Sequence, residues 1–500
     1  MLERAKDHHL STGLAEIDVP FWSASQLARA IGEKKISSLE LLNICLARVE
    51  KHNPRVNAII ELDIPGARKR AQAADDALMR GESSGPLHGI PITVKDSIDV
   101  AGFASTWGVK EFKDNRPARS APIVDALTAA GAIVFGKTNI PWFALSSETF
   151  NDLHGTTNNP WDLSRSPGGS SGGSAAALAA GLTCLEVGSD SGGSIRFPAH
   201  YCGIYAHKPT FGVTSIEGQS LPGLGPVPDI MVLGPLARSA EDLAIALNIM
   251  ARPNEADAVA WRLELPPARQ AKLSDFRVAV MLEYEGCDLD HQLVDVLQSL
   301  VSFLARQGAQ ISLQARPEFD FDAAHRLFLT LYSASASGSM PELYWKLISQ
   351  LSIFFRKKSN SEAASVIRGY TQRHRDWIRL DQVRTHLRAA WASFFREYDV
   401  LLCPAAATPA LPHDQSSKID RFRTIVVNGK KVAASDQSFW PGLAAVAYLP
   451  ATIAPVGFTS KGLPVGVQII GPQYGDHTCI AFARLLEQGF QGFVPPRGWE

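Results

Sequence analysis

Ser174-Ala175-Ala176-Ala177-Leu178-Ala179-Ala180-Gly181-Leu182 reads as a helix, and Leu185-Glu186-Val187-Gly188 reads as the strand after it. Alanine and leucine are strong helix formers, whereas a short apolar run next to glycine suits a buried strand. The same alternation extends outward in both directions. Residues 90–94 read as a strand, 123–130 as a helix and 132–135 as a buried strand. From residue 85 to about 234 the chain is rich in Gly, Ser, Thr and Pro, with short β-like runs between small-residue helices. Such alternation predicts an α/β fold: a mixed, mostly parallel central sheet covered by helices on both faces.

The flanks extend this picture. Residues 1–84 are read as helical. Ser37 and Glu40 stand at capping-box spacing, Leu41, Leu42, Cys45, Leu46 and Val49 follow at helical spacing, and His52-Asn53-Pro54 is expected to end that helix. A second helix is expected from residue 64 to 80, stopped by Gly81. Residues 240–310 mix helix and strand, with 277–281 a clear strand. Residues 320–400 are helical, rich in aromatics and arginine, and read as an insertion carried on the sheet. Strand patterns return at 400–402 and 464–470. A sheet drawing on both ends of the chain predicts one domain over 1–500: N-terminal helices (1–84), a core (85–240), the helical insertion (320–400) and a closing part (400–500).

Composition narrows the function classes. The 500 residues carry 49 Lys+Arg against 50 Asp+Glu, a net charge of −1, which offers no electrostatic case for nucleic acid. Six scattered cysteines without a C-x-x-C pair suggest neither a zinc site nor a disulfide framework, and read as buried free thiols in a reducing compartment. The first residues, Met1-Leu2-Glu3-Arg4-Ala5-Lys6-Asp7, are charged where a signal peptide is apolar, and no run of about 18 apolar residues occurs. The expectation is a cytoplasmic protein without an integral membrane segment.

Three motifs offer chemistry. Gly131-Ala132-Ile133-Val134-Phe135-Gly136-Lys137-Thr138 matches a nucleotide-binding loop letter for letter. That mechanism needs a phosphate-cradling loop leading into a helix, and Ala-Ile-Val-Phe followed by Asn139-Ile140-Pro141 supplies neither. Gly168-Gly169-Ser170-Ser171-Gly172 matches a nucleophile elbow, but residues 159–167 before it read as loop instead of the required strand, and no histidine marks itself by a local motif. The third reading joins two Gly/Ser loops, residues 166–174 and 188–198. Glycines allow close backbone approach, and Ser191-Gly192-Gly193-Ser194 can present successive N–H groups to one point, as an oxyanion hole requires. Serine needs a base, and Lys95 ends the apolar run Ile90-Pro91-Ile92-Thr93-Val94. A lysine drawn into the interior has a lowered pKa; bringing it from about 10.4 to about 7 costs roughly 4–5 kcal/mol.

The Lys95 strand, the Gly-Gly-Ser-Ser-Gly-Gly loop and the Asp-Ser-Gly-Gly-Ser-Ile-Arg segment, in this order, resemble the amidase signature family. The resemblance is strongest over residues 87–238 and returns at 462–472; Lys95 and Ser170 are 75 residues apart, Ser170 and Ser194 are 24 apart. It implies that Ser194 is the nucleophile, that Ser170, with a cis peptide bond before it, relays its proton, and that neutral Lys95 is the base. The N–H groups of Ser191, Gly192, Gly193 and Ser194 would hold the oxyanion. Asp190 and Arg196 are read as supports of the loop, Lys137 and Lys208 as structural, and Ser171 as a supporting hydrogen-bond partner. The resemblance implies no metal or cofactor, and homodimers are the family habit.

The expected reaction is hydrolysis of a small to medium hydrophobic amide, with esters or carbamates as side substrates. The alternative is the amidotransferase component that makes Gln-tRNA inside a complex. Such components usually carry Arg-Gln-Pro after the nucleophile and Asp-Gln-Ile-Gly-Pro downstream; this chain has Arg196-Phe197-Pro198 and Met231-Val232-Leu233-Gly234-Pro235. Trp142, Phe143 and Gly169 are expected to line the substrate pocket. Leu343, Tyr344, Leu347, Ile348, Leu351, Phe354 and Phe355 form an apolar stripe at helical spacing before Arg356-Lys357-Lys358. Its first reading is a core helix; its second is a lid or access helix touching a lipophilic substrate or a membrane surface.

Overall fold

The structure is a computed structural model. It describes residues 19–225, 229–338, 340, 342–355, 361–420 and 423–499, without the side chains of 351 and 353–355. Its strands are β1 (Ile59–Leu62), β2 (Pro91–Lys95), β3 (Ile133–Thr138), β4 (Phe150–Asn151), β5 (Gly155–Thr156), β6 (Glu186–Asp190), β7 (Tyr205–Lys208), β8 (Val232–Ala237), β9 (Arg277–Val280), β10 (Gln310–Ser312), β11 (Val400–Pro404), β12 (Thr424–Val427), β13 (Lys430–Ala433), β14 (Ala451–Phe458) and β15 (Pro464–Ile470). Its helices are α1 (Ala24–Gly32), α2 (Ser38–Val56), α3 (Ile64–Met79), α4 (Pro122–Ala129), α5 (Gly172–Ala179), α6 (Arg196–Cys202), α7 (Ala240–Met250), α8 (His291–Arg306), α9 (Phe321–Ser337), α10 (Glu342–Phe355), α11 (Glu362–Tyr370), α12 (His374–Glu397), α13 (Phe439–Val446) and α14 (Asp476–Gly489).

Eleven strands form one sheet in the order β1-β3-β2-β6-β8-β7-β14-β15-β11-β9-β10. The sheet is mixed. The expected parallel pairing occurs in two blocks, β3-β2-β6 and β11-β9-β10. In the first, α4 makes the crossover from β2 to β3 that a parallel pair requires. Between the blocks every neighbour is antiparallel, from β6-β8 to β15-β11, and β14 and β15 are joined by a turn in which Gly462 takes φ +76°.

Both faces of the sheet are covered. Successive strand residues point to opposite faces, and Tyr205 and Ala206, like Ala454 and Ile453, fall in different apolar clusters. Leu402 and Leu401 part in the same way, the latter joining Leu327, Phe328 and Leu331 of α9 and Trp391 of α12. The helical segment thus seals one face of the C-terminal half of the sheet. All six cysteines are buried and unpaired. No helix among the described residues is long and apolar enough to cross a membrane.

Some local boundaries differ from expectation. The Ser37/Glu40 capping box forms, but α2 runs through Pro54 and ends at Asn57, which takes the left-handed conformation. Strand β3 continues through Gly136 and Lys137 to Thr138 because β2 and β1 pair along it. The largest departure is α10. Leu343, Tyr344 and Leu347 are exposed, with Leu343 at 77%, so the stripe is no core face. Its place against the sheet is filled by α9 and α12, and α10 lies outside α11, where Trp345 Nε1 donates to the Tyr370 carbonyl at 3.0 Å. Arg356, Lys357 and Lys358, and the side chains of Leu351, Phe354 and Phe355, lie outside the described residues.

Candidate active site

Strand pairing assembles the site. Strands β2 and β6 run parallel with Thr93 opposite Glu186 and Val94 opposite Val187. Lys95, at the end of β2, therefore lies beside Ser189 of β6. Two glycine-rich loops close over this point: residues 168–171 lead into α5, and residues 191–195 connect β6 to α6. The N–H of Ser171 donates to the Ser194 carbonyl at 3.0 Å and ties the loops together.

Lys95 is fully buried among hydroxyls. Its Nζ lies 2.6 Å from Ser170 Oγ, 3.0 Å from Ser171 Oγ and 2.9 Å from Ser189 Oγ. Burial disfavours the charged form and brings its pKa down to about 7, against the pull of Asp190 and Asp96 in the other direction. Lysine thus stands ready to accept a proton near neutral pH, as a general base requires. The Gly169–Ser170 peptide is cis, as the resemblance implied. A Cβ on Gly169 would lie 2.4 Å from the Ser146 carbonyl oxygen, so the loop can pass there only as glycine.

Ser194 faces a cavity of about 160 Å³. Of the four N–H groups expected to form an oxyanion hole, those of Ser191, Gly192 and Ser194 make no hydrogen bond among the described residues. The fourth corrects the expectation: the Gly193 N–H donates to Asp190 Oδ1 at 2.9 Å. Asp190 also accepts from the Ile195 N–H at 3.0 Å and forms a buried pair with Arg196 at 2.8 Å. A carboxylate needs this many donors to stay charged without water. Burial works to raise the Asp190 pKa, but Arg196 and these hydrogen bonds hold it down at about 2. Asp190 therefore fixes the loop by holding the Gly193 N–H, and Arg196 carries the anchorage on to Gln468 Oε1 at 2.7 Å and the Pro441 carbonyl.

The cavity wall mixes apolar and aromatic groups with the hydroxyl-bearing Ser146, Ser147, Ser333, Ser435 and Ser438. It includes Leu145, Gly169, Phe197, Phe328, Tyr332 and Val366. Phe328 and Tyr332, one helical turn apart on α9, stack at 5.6 Å and stand over Gly192, where an added Cβ would meet both rings at 3.6 Å. Among the described lining residues Asp420 is the one acid and none is a cation. Its carboxylate accepts from Ser146 Oγ and the Ser147 N–H, each at 2.8 Å, and pairs with Arg423. Arg423 in turn pairs with Glu148.

Trp142 and Phe143 do not line the cavity. Phe143 and Ala144 both take positive φ, and this turn packs the two rings edge to face at 4.6 Å, with Phe112 and Lys418 beyond them. Ala144 and Leu145 reach the cavity instead. Lys137 is buried in β3 and donates to the Asp96 carbonyl at 3.0 Å, which leaves no phosphate-binding loop. No strand runs into Ser170, and no histidine lines the cavity among the described residues. Nor does any group of three or more His, Cys, Asp or Glu among them come together to hold a metal. Sequence reasoning missed Ser189, Phe328, Tyr332 and Asp420. Only the pairing of β2 with β6 marks Ser189, and only the docking of α9 marks the two rings.

Known proteins resemble nearly the whole length of the chain. The amidase family model matches residues 40–480. The chain belongs to the amidase signature family. A glutamyl-tRNA(Gln) amidotransferase subunit from Chloroflexus aurantiacus is 33% identical over 93% of this chain and 96% of its own length. The crystal structure of an amidase aligns over 94% of this chain and all of that one, with 27% identity and a TM-score of 0.77. A bacterial aryl acylamidase of the amidase signature enzymes shares the fold, with a TM-score of 0.79, 23% identity, and 94% and 96% coverage. The family makes this chain a carbon–nitrogen hydrolase or an amidotransferase component.

Proposed function

We propose that the chain hydrolyses uncharged amides through an acyl-enzyme on Ser194. The observation that carries this reading is Lys95: fully buried, with its pKa near 7 and 2.6 Å from Ser170, next to a serine that faces a cavity. Lys95 takes the Ser170 proton while Ser170 takes that of Ser194, and Ser194 attacks the carbonyl. No hydrogen bond joins the two hydroxyls among the described residues, so the relay requires one to form when substrate binds. The N–H groups of Ser191, Gly192 and Ser194 receive the oxyanion. The proton returns through Ser170 to the leaving amine, and water then cleaves the ester. This sequence of steps uses no metal or cofactor.

The substrate follows from the walls. A cavity of about 160 Å³ is close to the ~150 Å³ that accommodates a benzene ring. An aryl or short alkyl group fits it. Esters and carbamates of the same shape are expected side substrates. A homodimer in the cytoplasm is the expected setting.

A second reading has its own support: the curated relatives carry the name of an amidotransferase component. Glutamine, however, brings an ammonium and a carboxylate. Among the described lining residues the carboxylate meets no cation, and the one acid, Asp420, is already engaged by Arg423. An unpaired charge taken from water into such a site is costly.

A fluorophosphonate probe with mass mapping, followed by an amide panel that includes glutamine, separates the readings. Label on Ser194 and turnover of anilides or short alkyl amides supports hydrolysis. Ammonia release from glutamine alone gives the amidotransferase reading, and label on another serine removes both.

A further inference from the structure

Helices α9 and α11 have a second side. Phe328, Tyr332, Val366 and Tyr370 line the catalytic cavity, whereas Arg326, Leu327, Thr330 and Arg368 of the same helices line a separate groove of about 720 Å³. Helix α12 closes that groove with Arg373 at its N-cap, and with Asp376 and Arg379. The catalytic cavity holds no cation among its described lining residues, whereas the groove gathers four arginines against one acid.

Of the groove's arginines, Arg368 already donates to Ser365 Oγ at 3.1 Å. Asp376 is 3.8 Å from Arg379, and neither Arg326 nor Arg373 makes an ion pair among the described residues. Arg326 and Arg368 are half-buried neighbours of like charge, and burial together with Arg326 pushes the Arg368 guanidinium below its ordinary value. Leu327, Leu380 and Val383 supply an apolar floor. The buried Gln372 Oε1, which also lines the groove, has no hydrogen-bond partner among the described residues.

We propose that this groove is a regulatory site for a small anion with two or more negative charges, a phosphate ester or a polycarboxylate. Guanidinium forks match phosphate and carboxylate oxygens in pairs. The unpartnered Gln372 oxygen suits a hydroxyl or N–H on the same ligand. The coupling is mechanical. At the α9–α11 crossing a Cβ on Gly369 would lie 2.4 Å from the Thr330 carbonyl oxygen, so the helices touch backbone to backbone. An anion held between Arg326 and Arg368 bridges and stiffens the two helices whose other faces shape the catalytic cavity.

The test uses the full chain, inorganic pyrophosphate and citrate as probes, and sodium chloride at matched ionic strength as the control. Calorimetry is expected to show one site for at least one probe, and the Arg326→Gln/Arg368→Gln variant is expected to weaken it by about 100-fold, about tenfold per arginine. Amide hydrolysis without anion stays within about twofold of the parent in that variant. Which probe binds more tightly tells a phosphate ester from a polycarboxylate. Arg326→Lys, which keeps the charge and loses the fork, is expected to bind about threefold to tenfold less tightly. Binding no stronger than chloride, or equal affinity in the double variant, would overturn the site. Tight binding of an RNA oligonucleotide that pyrophosphate fails to displace would also overturn it, by showing an extended polyanion surface. The bound anion is expected to lower the KM for amides about twofold to fivefold, and an unchanged KM would end the coupling. That last readout rests on the proposed amide hydrolysis; the binding readout does not, so the two can fail separately.

Discussion

The signature core of residues 85–240 and the helices of residues 321–397 face each other across one cavity, and they are made differently. The core places charged groups in the interior and satisfies them there: Lys95 among three hydroxyls, Asp190 against Arg196, Lys137 against carbonyl oxygens. The helical segment contributes rings and aliphatic groups to the cavity and keeps its charges on the far side. Chemistry that relies on a desolvated lysine needs a rigid setting, because each buried polar atom must keep its partner. Shape selection needs only surfaces that fit, so the helical side can change without disturbing the proton path. Substitutions on the core side should therefore act on kcat, and those on the helical side on KM and substrate choice.

The largest effect is expected at Ser194→Ala, which should lower kcat/KM for an amide by about 10⁴-fold or more without loss of folding, measured by turnover and circular dichroism. Activity that survives would remove the core from the chemistry. Lys95→Met comes next, with a loss of about 10³-fold or more. In the parent, kcat/KM should rise with pH through about 7, because only neutral Lys95 accepts the proton.

Stability offers an independent check on the same group. Between the folded value of about 7 and the ordinary 10.5, the unfolded chain binds a proton that the folded chain does not. Parent stability should therefore rise with pH across that window relative to Lys95→Met, by up to about 1.4 kcal/mol per pH unit. Urea melts of both proteins at pH 7 and pH 9 measure the difference, and parallel curves would show that Lys95 is not desolvated.

Asp190→Asn should cost about 3–5 kcal/mol of stability, the usual result of leaving a buried Arg196 unpaired, and about 100-fold in kcat as Gly193 is released. On the helical side, Tyr332→Ala is expected to shift KM by about threefold to tenfold in favour of larger amides while kcat changes little. The smallest effect is expected at Trp142→Ala, within about twofold in KM, because that ring packs on Phe143 outside the cavity. A large KM change there would move the pocket back to where sequence alone placed it.

The sequence by itself determined the alternation of strands and helices, the two glycine-rich loops, and the order Lys95, Ser170, Ser194. These are local or motif-bound: capping, apolar runs and glycine conformations depend on near neighbours, and the loop motifs are dense enough to be read without a partner. It also placed Lys95 in the interior, since an apolar strand carries its last residue inward. Tertiary structure decided the rest. Ser189 reached Lys95 because β6 pairs with β2 in a particular register. Gly193 left the set of free N–H groups because Asp190, three residues earlier, folded back on it. The apolar stripe of α10 remained outside because α9 and α12 had already covered the sheet, and an amphipathic period states only that a face is apolar, not what will cover it. The cavity and the arginine groove are both of this kind: the cavity lies between the core loops and the α9–α11 pair, the groove between that pair and α12, and each is set by how these elements dock.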